Sequence, residues 1–295
     1  MKTLQESDGW VLFLPRVSAW TMIPLLASLS SASDTDRPAA RALPGHVVDV
    51  TAGDFYLQAP DTIASGLTTL RLHVAEGEHI AVLVRLDSAH TAADLLRARR
   101  EGHPRPPWVH FIGGPGFPPS KGTANATMVL VPGHYLLMCD VASPDGVRHF
   151  EKGMFRSLVV RAPSGKQPAL ESLPQSDVVV KMRDHVFAFS APIRAGTRVL
   201  RVVNEGSVMH EFRLVRVLPG RTARESMAWK PGDRIPRPDE DVAALVGIAP
   251  GAELTTTVAF ARGEYVVLCV PQLAHGMIKA LRVLSVNAAA AGKRN

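Results

Sequence analysis

Pro132-Gly133-His134-Tyr135-Leu136-Leu137-Met138-Cys139, followed by Asp145-Gly146, His149 and Gly153-Met154, decides the reading of this 295-residue chain. Tyr135 to Cys139 reads as a strand running up to a thiol. A turn-rich loop then brings back an imidazole and a thioether. Sulfur and imidazole donors in that order, on one loop after one strand, suit a transition metal, provided an earlier strand supplies a further histidine. His79 is the upstream candidate.

The same pattern returns further along. Gly263-Glu264-Tyr265 with Cys269 repeats Gly133-His134-Tyr135 with Cys139. Leu214-Val215-Arg216-Val217 echoes Leu83-Val84-Arg85-Leu86, and Ala195-Gly196 echoes Ser65-Gly66. Thr222 with Glu225 repeats Thr91 with Asp94, each spaced as a capping box that opens a short helix. His210 matches His79 at the same offset. A fixed offset across so many positions marks two copies of one unit. The organisation read from it is a leader at 1–33, a linker at 34–45, a first domain at 46–162, a Pro/Gly-containing linker at 163–176, a second domain at 177–286 and a tail at 287–295. Each copy is built mainly of short, alternating apolar runs, with one helix in a long connection. The fold class expected is therefore all-β, two tandem Greek-key β-sandwiches. The Pro- and Gly-rich stretch from Gly102 to Gly122 reads as a loop excursion.

Composition narrows the function. A net charge of +6 is mild for the length. Without a basic run or interleaved aromatics it gives no support to nucleic-acid binding. The two cysteines rule out a disulfide framework, and paired-cysteine zinc spacings are absent. A Cys139–Cys269 bridge would need two strand ends to meet across a domain boundary. Arg16, the apolar run Val17 to Leu29 and the small residues Ser31-Ala32-Ser33 follow the order of a secretory signal, and the run is short for a membrane span. Export to the periplasm or outside the cell is the expectation. Asn125-Ala126-Thr127 is a glycosylation acceptor where the host glycosylates.

The segment from Tyr135 to Met154 resembles the cupredoxins, the blue copper family. It is most similar to bacterial periplasmic cupredoxin domains whose loop runs Cys, Asp-Gly, His, Gly-Met. The resemblance implies cupredoxin-like sandwiches, a mononuclear copper centre and a role in electron transfer or copper handling with an unidentified redox partner protein. Its ligand set in the first copy is His79, Cys139, His149 and Met154. The second copy offers His210, Cys269, His275 and Met277 on a truncated loop, with Gln272 where a short-loop pattern puts histidine. His79 stands on a shorter loop, Gly77-Glu78-His79, than the one from Gly206 to His210. Copper oxidases of this architecture carry a histidine beside the copper cysteine and His-X-His pairs. Neither occurs here, so a non-enzymatic protein is expected. The alternative from another class is a metal-free tandem sandwich acting as a binding or structural module.

Overall fold

Alternating apolar and polar residues become paired strands through both copies. The structure is a computed structural model that describes residues 41–101, 105–119, 122–162 and 172–285. The first copy contributes β1 (His46–Gly53), β2 (Tyr56–Gln58), β3 (Thr62–Ala64), β4 (Gly66–Val74), β5 (Val82–Leu86), β6 (Val109–Gly116), β7 (Thr123–Leu130), β8 (Gly133–Met138) and β9 (Phe155–Arg161). The second contributes β10 (Val178–Arg183), β11 (Val186–Phe189), β12 (Gly196–Asn204), β13 (His210–Val217), β14 (Asp239–Ile248), β15 (Glu253–Phe260), β16 (Gly263–Leu268) and β17 (Ile278–Val283).

Both expected helices form at their capping boxes. In α1 (Ala92–Arg100) the Thr91 hydroxyl accepts from the Asp94 N–H, and the Asp94 carboxylate accepts from the Thr91 N–H. In α2 (Ala223–Ala228) Thr222 and Glu225 make the same exchange. Each cap is worth about 1 kcal/mol, enough to fix where a two-turn helix begins. The leader at 1–33, the tail at 287–295 and most of both linkers lie outside the described residues.

Two sheets result. One runs β11-β10-β12-β15-β7-β4-β1-β2, the other β17-β16-β13-β14-β6-β5-β8-β9-β3. Read from the middle, each order repeats outward: β7-β4-β1-β2 matches β15-β12-β10-β11, and β6-β5-β8-β9 matches β14-β13-β16-β17. The duplicated strands therefore meet back to back at β7·β15 and β6·β14, both antiparallel, and the sheets run unbroken through both copies. Inward side chains of the two sheets, among them Leu70, Leu72, Leu136 and Phe212, pack into one apolar layer. The fold is all-β, two sheets packed face to face as a sandwich, in the class expected.

The seam corrects one expectation. Val109 to Gly116 is a strand, not part of an excursion, and it is paired on both edges, to β5 and to β14. Its Gly113-Gly114-Pro115-Gly116 sequence disguises it. A Cβ on Gly114 would lie 1.9 Å from the Ala81 carbonyl oxygen, so backbone crowding at the seam demands glycine. The other sheet is joined by one registered pair, Thr255 with Thr127. Beside it the Asn125 amide acts as a surrogate strand: its Nδ2 donates to the Thr257 carbonyl at 2.8 Å, and its Oδ1 accepts from the Thr257 N–H at 2.8 Å. That side chain is thus committed to the sheet.

A charged cluster of the second copy reaches the seam. Arg213 pairs with Asp241 through Nε at 2.7 Å, and Arg237 reaches the same carboxylate at 2.8 Å. Arg237 also binds Asp239, whose other oxygen accepts from the Ser226 hydroxyl. The Arg213 guanidinium lies 3.8 Å from the centre of the Phe117 ring, in the first copy.

Candidate metal centre

Cys139 leaves the end of β8 directly into the core and is 0 % exposed. Its loop is cinched by main-chain bonds. The Phe150 N–H donates to the Cys139 carbonyl, the His149 N–H to Val141, the Met154 N–H to His149, and the Cys139 N–H to Met154. Gly153, at φ +103°, provides the left-handed residue that turns the chain back. The loop thereby returns His149 and a fully buried Met154 to the vicinity of the thiol.

His79 comes from the connection between β4 and β5, and its short loop does not displace it. Its Nδ1 lies 3.7 Å from Cys139 Sγ, against 3.6 Å for His210 Nδ1 and Cys269 Sγ in the second copy. His149 Nδ1 lies 3.6 Å from Cys139 Sγ and 3.2 Å from His79 Nδ1. Among the described residues, this is the only group of three such side chains whose donor atoms lie within 4.8 Å of one another.

The electrostatics leave the two imidazoles free to bind a cation. Burial, then the neighbouring His149, lowers the pKa of His79. Burial, then Lys152, lowers that of His149. Both rings are therefore neutral at pH 7, with lone pairs to offer. Burial pushes the Cys139 thiol up, while N–H donors from Ile80 and Val141 partly offset that. The fit can be checked by size. A first-row ion bonded at about 2.0–2.1 Å to each nitrogen and about 2.3 Å to sulfur, with angles near 105–120°, holds its donors about 3.2–3.8 Å apart. All three separations fall in that range. The donor set, two imidazoles and a thiol that a bound metal would deprotonate, with the buried Met154 bonded through its main chain to Cys139 and His149, suits copper.

The rim adds two residues that sequence reasoning missed. Phe55, at φ +61°, stands edge-on to the His149 ring at 5.3 Å, and Lys152 Nζ lies 5.1 Å from the Phe55 ring centre. Their counterparts in the second copy are His185, at φ +72°, and His275, with ring centres 5.0 Å apart. The recurrence of Asp54-Phe55 as Asp184-His185, at the offset of the repeat, is the signal that could have found them.

In the second copy His210, Cys269 and Met277 are all 0 % exposed. His210 Nε2 lies 3.3 Å from Asp184 Oδ1, which favours a proton there and a lone pair on the Nδ1 that faces Cys269. His275 does not join them. It is exposed, and its Nδ1 pairs with Gln272 Oε1 at 3.1 Å. The truncated loop puts it on the rim, at the place of Lys152, so its expected ligand position is corrected. Both cysteines are free thiols.

No protein-family model and no curated protein matches this chain. Solved structures do. Auracyanin A, a "blue" copper protein from Chloroflexus aurantiacus, is 21 % identical over 39 % of this chain and 98 % of its own, with a TM-score of 0.28. A copper nitrite reductase from Nitrosomonas europaea is 13 % identical over 84 % of this chain and 96 % of its own, at 0.24. A multicopper oxidase is 13 % identical over 84 % and 93 %, at 0.23. The non-enzymatic expectation is corrected by this finding: the solved structures matched over 84 % of this chain include a copper nitrite reductase and a multicopper oxidase. No helix among the described residues is long and apolar enough to cross a membrane.

Proposed function

We propose that the first copy is a mononuclear copper centre, with His79, Cys139 and His149 as its ligands and Met154 as a fourth, weaker donor. The protein would serve electron transfer or copper handling in the periplasm or outside the cell. The observation that carries this reading is the convergence of one thiol and two neutral imidazoles, Cys139 and His149 from one loop and His79 from another. Copper bound there would shuttle one electron between its two common oxidation states.

The chain's own contribution is rigidity. The main-chain bonds from Val141 to Met154 hold the loop donors, and the Phe117 N–H fixes the His79 carbonyl at 3.2 Å. Donors held this firmly move little between oxidation states, which keeps the cost of electron transfer low. N–H bonds to Sγ favour the thiolate that a metal needs. His149 is the half-buried member of the set, so its ring edge is the part of the site nearest a redox partner. Metal analysis of protein isolated from its own host tests the proposal. Copper in the unaltered chain, with one ion per chain fewer in Cys139→Ala, is expected; copper-free protein, or a copper content that does not depend on Cys139, contradicts it.

A further inference from the structure

The two loops can be aligned through their hydrogen bonds, independently of sequence. Met154 N–H donates to the carbonyl five residues earlier, His149, and Met277 N–H donates to the carbonyl five residues earlier, Gln272. Gly153 bonds to Phe150 as Gly276 bonds to Leu273, and both glycines are left-handed, at φ +103° and +82°. The Cys139 and Cys269 N–H groups close the loops on Met154 and Met277. In this hydrogen-bond register Gln272 occupies the place of His149, and His275 that of Lys152.

The second copy therefore retains two converging donors, His210 Nδ1 and Cys269 Sγ at 3.6 Å, with the buried Met277 in the register of Met154. It has lost one imidazole. The Gln272 carboxamide at that corner is a neutral, weak oxygen donor, and it is turned toward His275. Thiolate and thioether donors select Cu(I), whereas Cu(II) gains most from nitrogen and oxygen donors in number.

We propose that Gln272 sets the metal preference of a second site: His210, Cys269 and Met277 take Cu(I), and the missing imidazole keeps that site from holding Cu(II). The inference borrows the donor chemistry of the first copy but concerns different side chains, so the two can fail separately.

The test is an anaerobic titration of the full chain with Cu(I) against a coloured Cu(I) chelator, alongside Cu(II) titrations read by the thiolate charge-transfer band. The unaltered chain is expected to withdraw twice as much Cu(I) from the chelator as Cys269→Ser, while the Cu(II) band is the same in both. Cys139→Ser is expected to keep one Cu(I) and show no Cu(II) band. Adding Gln272→His to it should create a band with one bound Cu(II). Equal Cu(I) uptake by the unaltered chain and Cys269→Ser overturns the proposal. So does a Cu(II) band in Cys139→Ser, or no band after Gln272→His in a chain with unchanged circular dichroism. Should Cys139→Ser not fold, the comparison with Cys269→Ser alone decides. Cu(I) uptake that depends on Cys269, in a chain giving no Cu(II) band at all, would retain this site while removing the first-copy reading.

Discussion

The Nδ1 atoms of His79 and His149 face each other across 3.2 Å, and the Cys139 sulfur lies within 3.7 Å of both. Burial lowers the proton affinity of both rings, so two lone pairs are left close together. A cation placed among them turns mutual repulsion into attraction. Metal should therefore stabilise the fold strongly. At 100-fold excess over its dissociation constant, a bound ion adds about 2.7 kcal/mol. For a chain of this size that raises the unfolding midpoint by about 5–10 °C. Calorimetry with and without Cu(II) should show this rise in the unaltered chain and most of it gone in His149→Ala; an equal rise in both would exclude His149 as a ligand.

Met154 combines packing with weak donation. Met154→Leu conserves volume and should cost less than about 1.5 kcal/mol in denaturant unfolding, whereas Met154→Ala opens a cavity and should cost about 2–5 kcal/mol. The weak thioether donor tunes the balance between the two oxidation states, so Met154→Leu should keep the copper and shift its reduction potential. Voltammetry giving an unchanged potential would remove Met154 from the ligand set.

Asp241 should make the seam sensitive to acid. Burial opposes its ionisation, but hydrogen bonds from Arg213 and Arg237 override this and hold its pKa below the ordinary carboxylate value. A carboxylate depressed in the folded state contributes stability above its unfolded pKa and loses it as pH falls through the folded value. The protein should thus weaken below about pH 4. Asp241→Asn leaves two guanidinium groups short of an acceptor and should cost about 3 kcal/mol at pH 7. The deficit should shrink as the pH is lowered; one that stays constant with pH would contradict the assignment.

The seam glycine should respond differently from a loop glycine. Gly114→Ala drives a methyl group into the Ala81 carbonyl and should cost about 3 kcal/mol or more. Gly220, at φ +77° with open space around it, should cost only about 1–2 kcal/mol on the same change, from backbone strain. Equal losses in chemical denaturation would mean that β6 is not held tightly between β5 and β14.

These cases also mark how far the sequence could be read. The duplication was visible because paired strands need the same alternation in each copy, and the capping boxes placed both helices because Thr and an acid three residues apart have a local job. The β6 strand was hidden since Gly113 to Gly116 violate strand propensity for a tertiary reason, the close approach of another backbone. His275 was misplaced because its nearness to Gly276-Met277 outweighed the loop register, which only hydrogen bonds reveal. The hairpin-tip residues Phe55 and His185 lie far in sequence from the loops they meet, where a local pattern gives no hint.

The central claim is that Cys139, His79 and His149 close on one copper ion, and a Cu(II) titration with an oxidant present tests it most directly. The account predicts an intense thiolate charge-transfer band that saturates at one ion per chain, persists in Cys269→Ser and vanishes in Cys139→Ala. A folded protein that stays colourless under those conditions, or a band that survives the loss of Cys139, would contradict it.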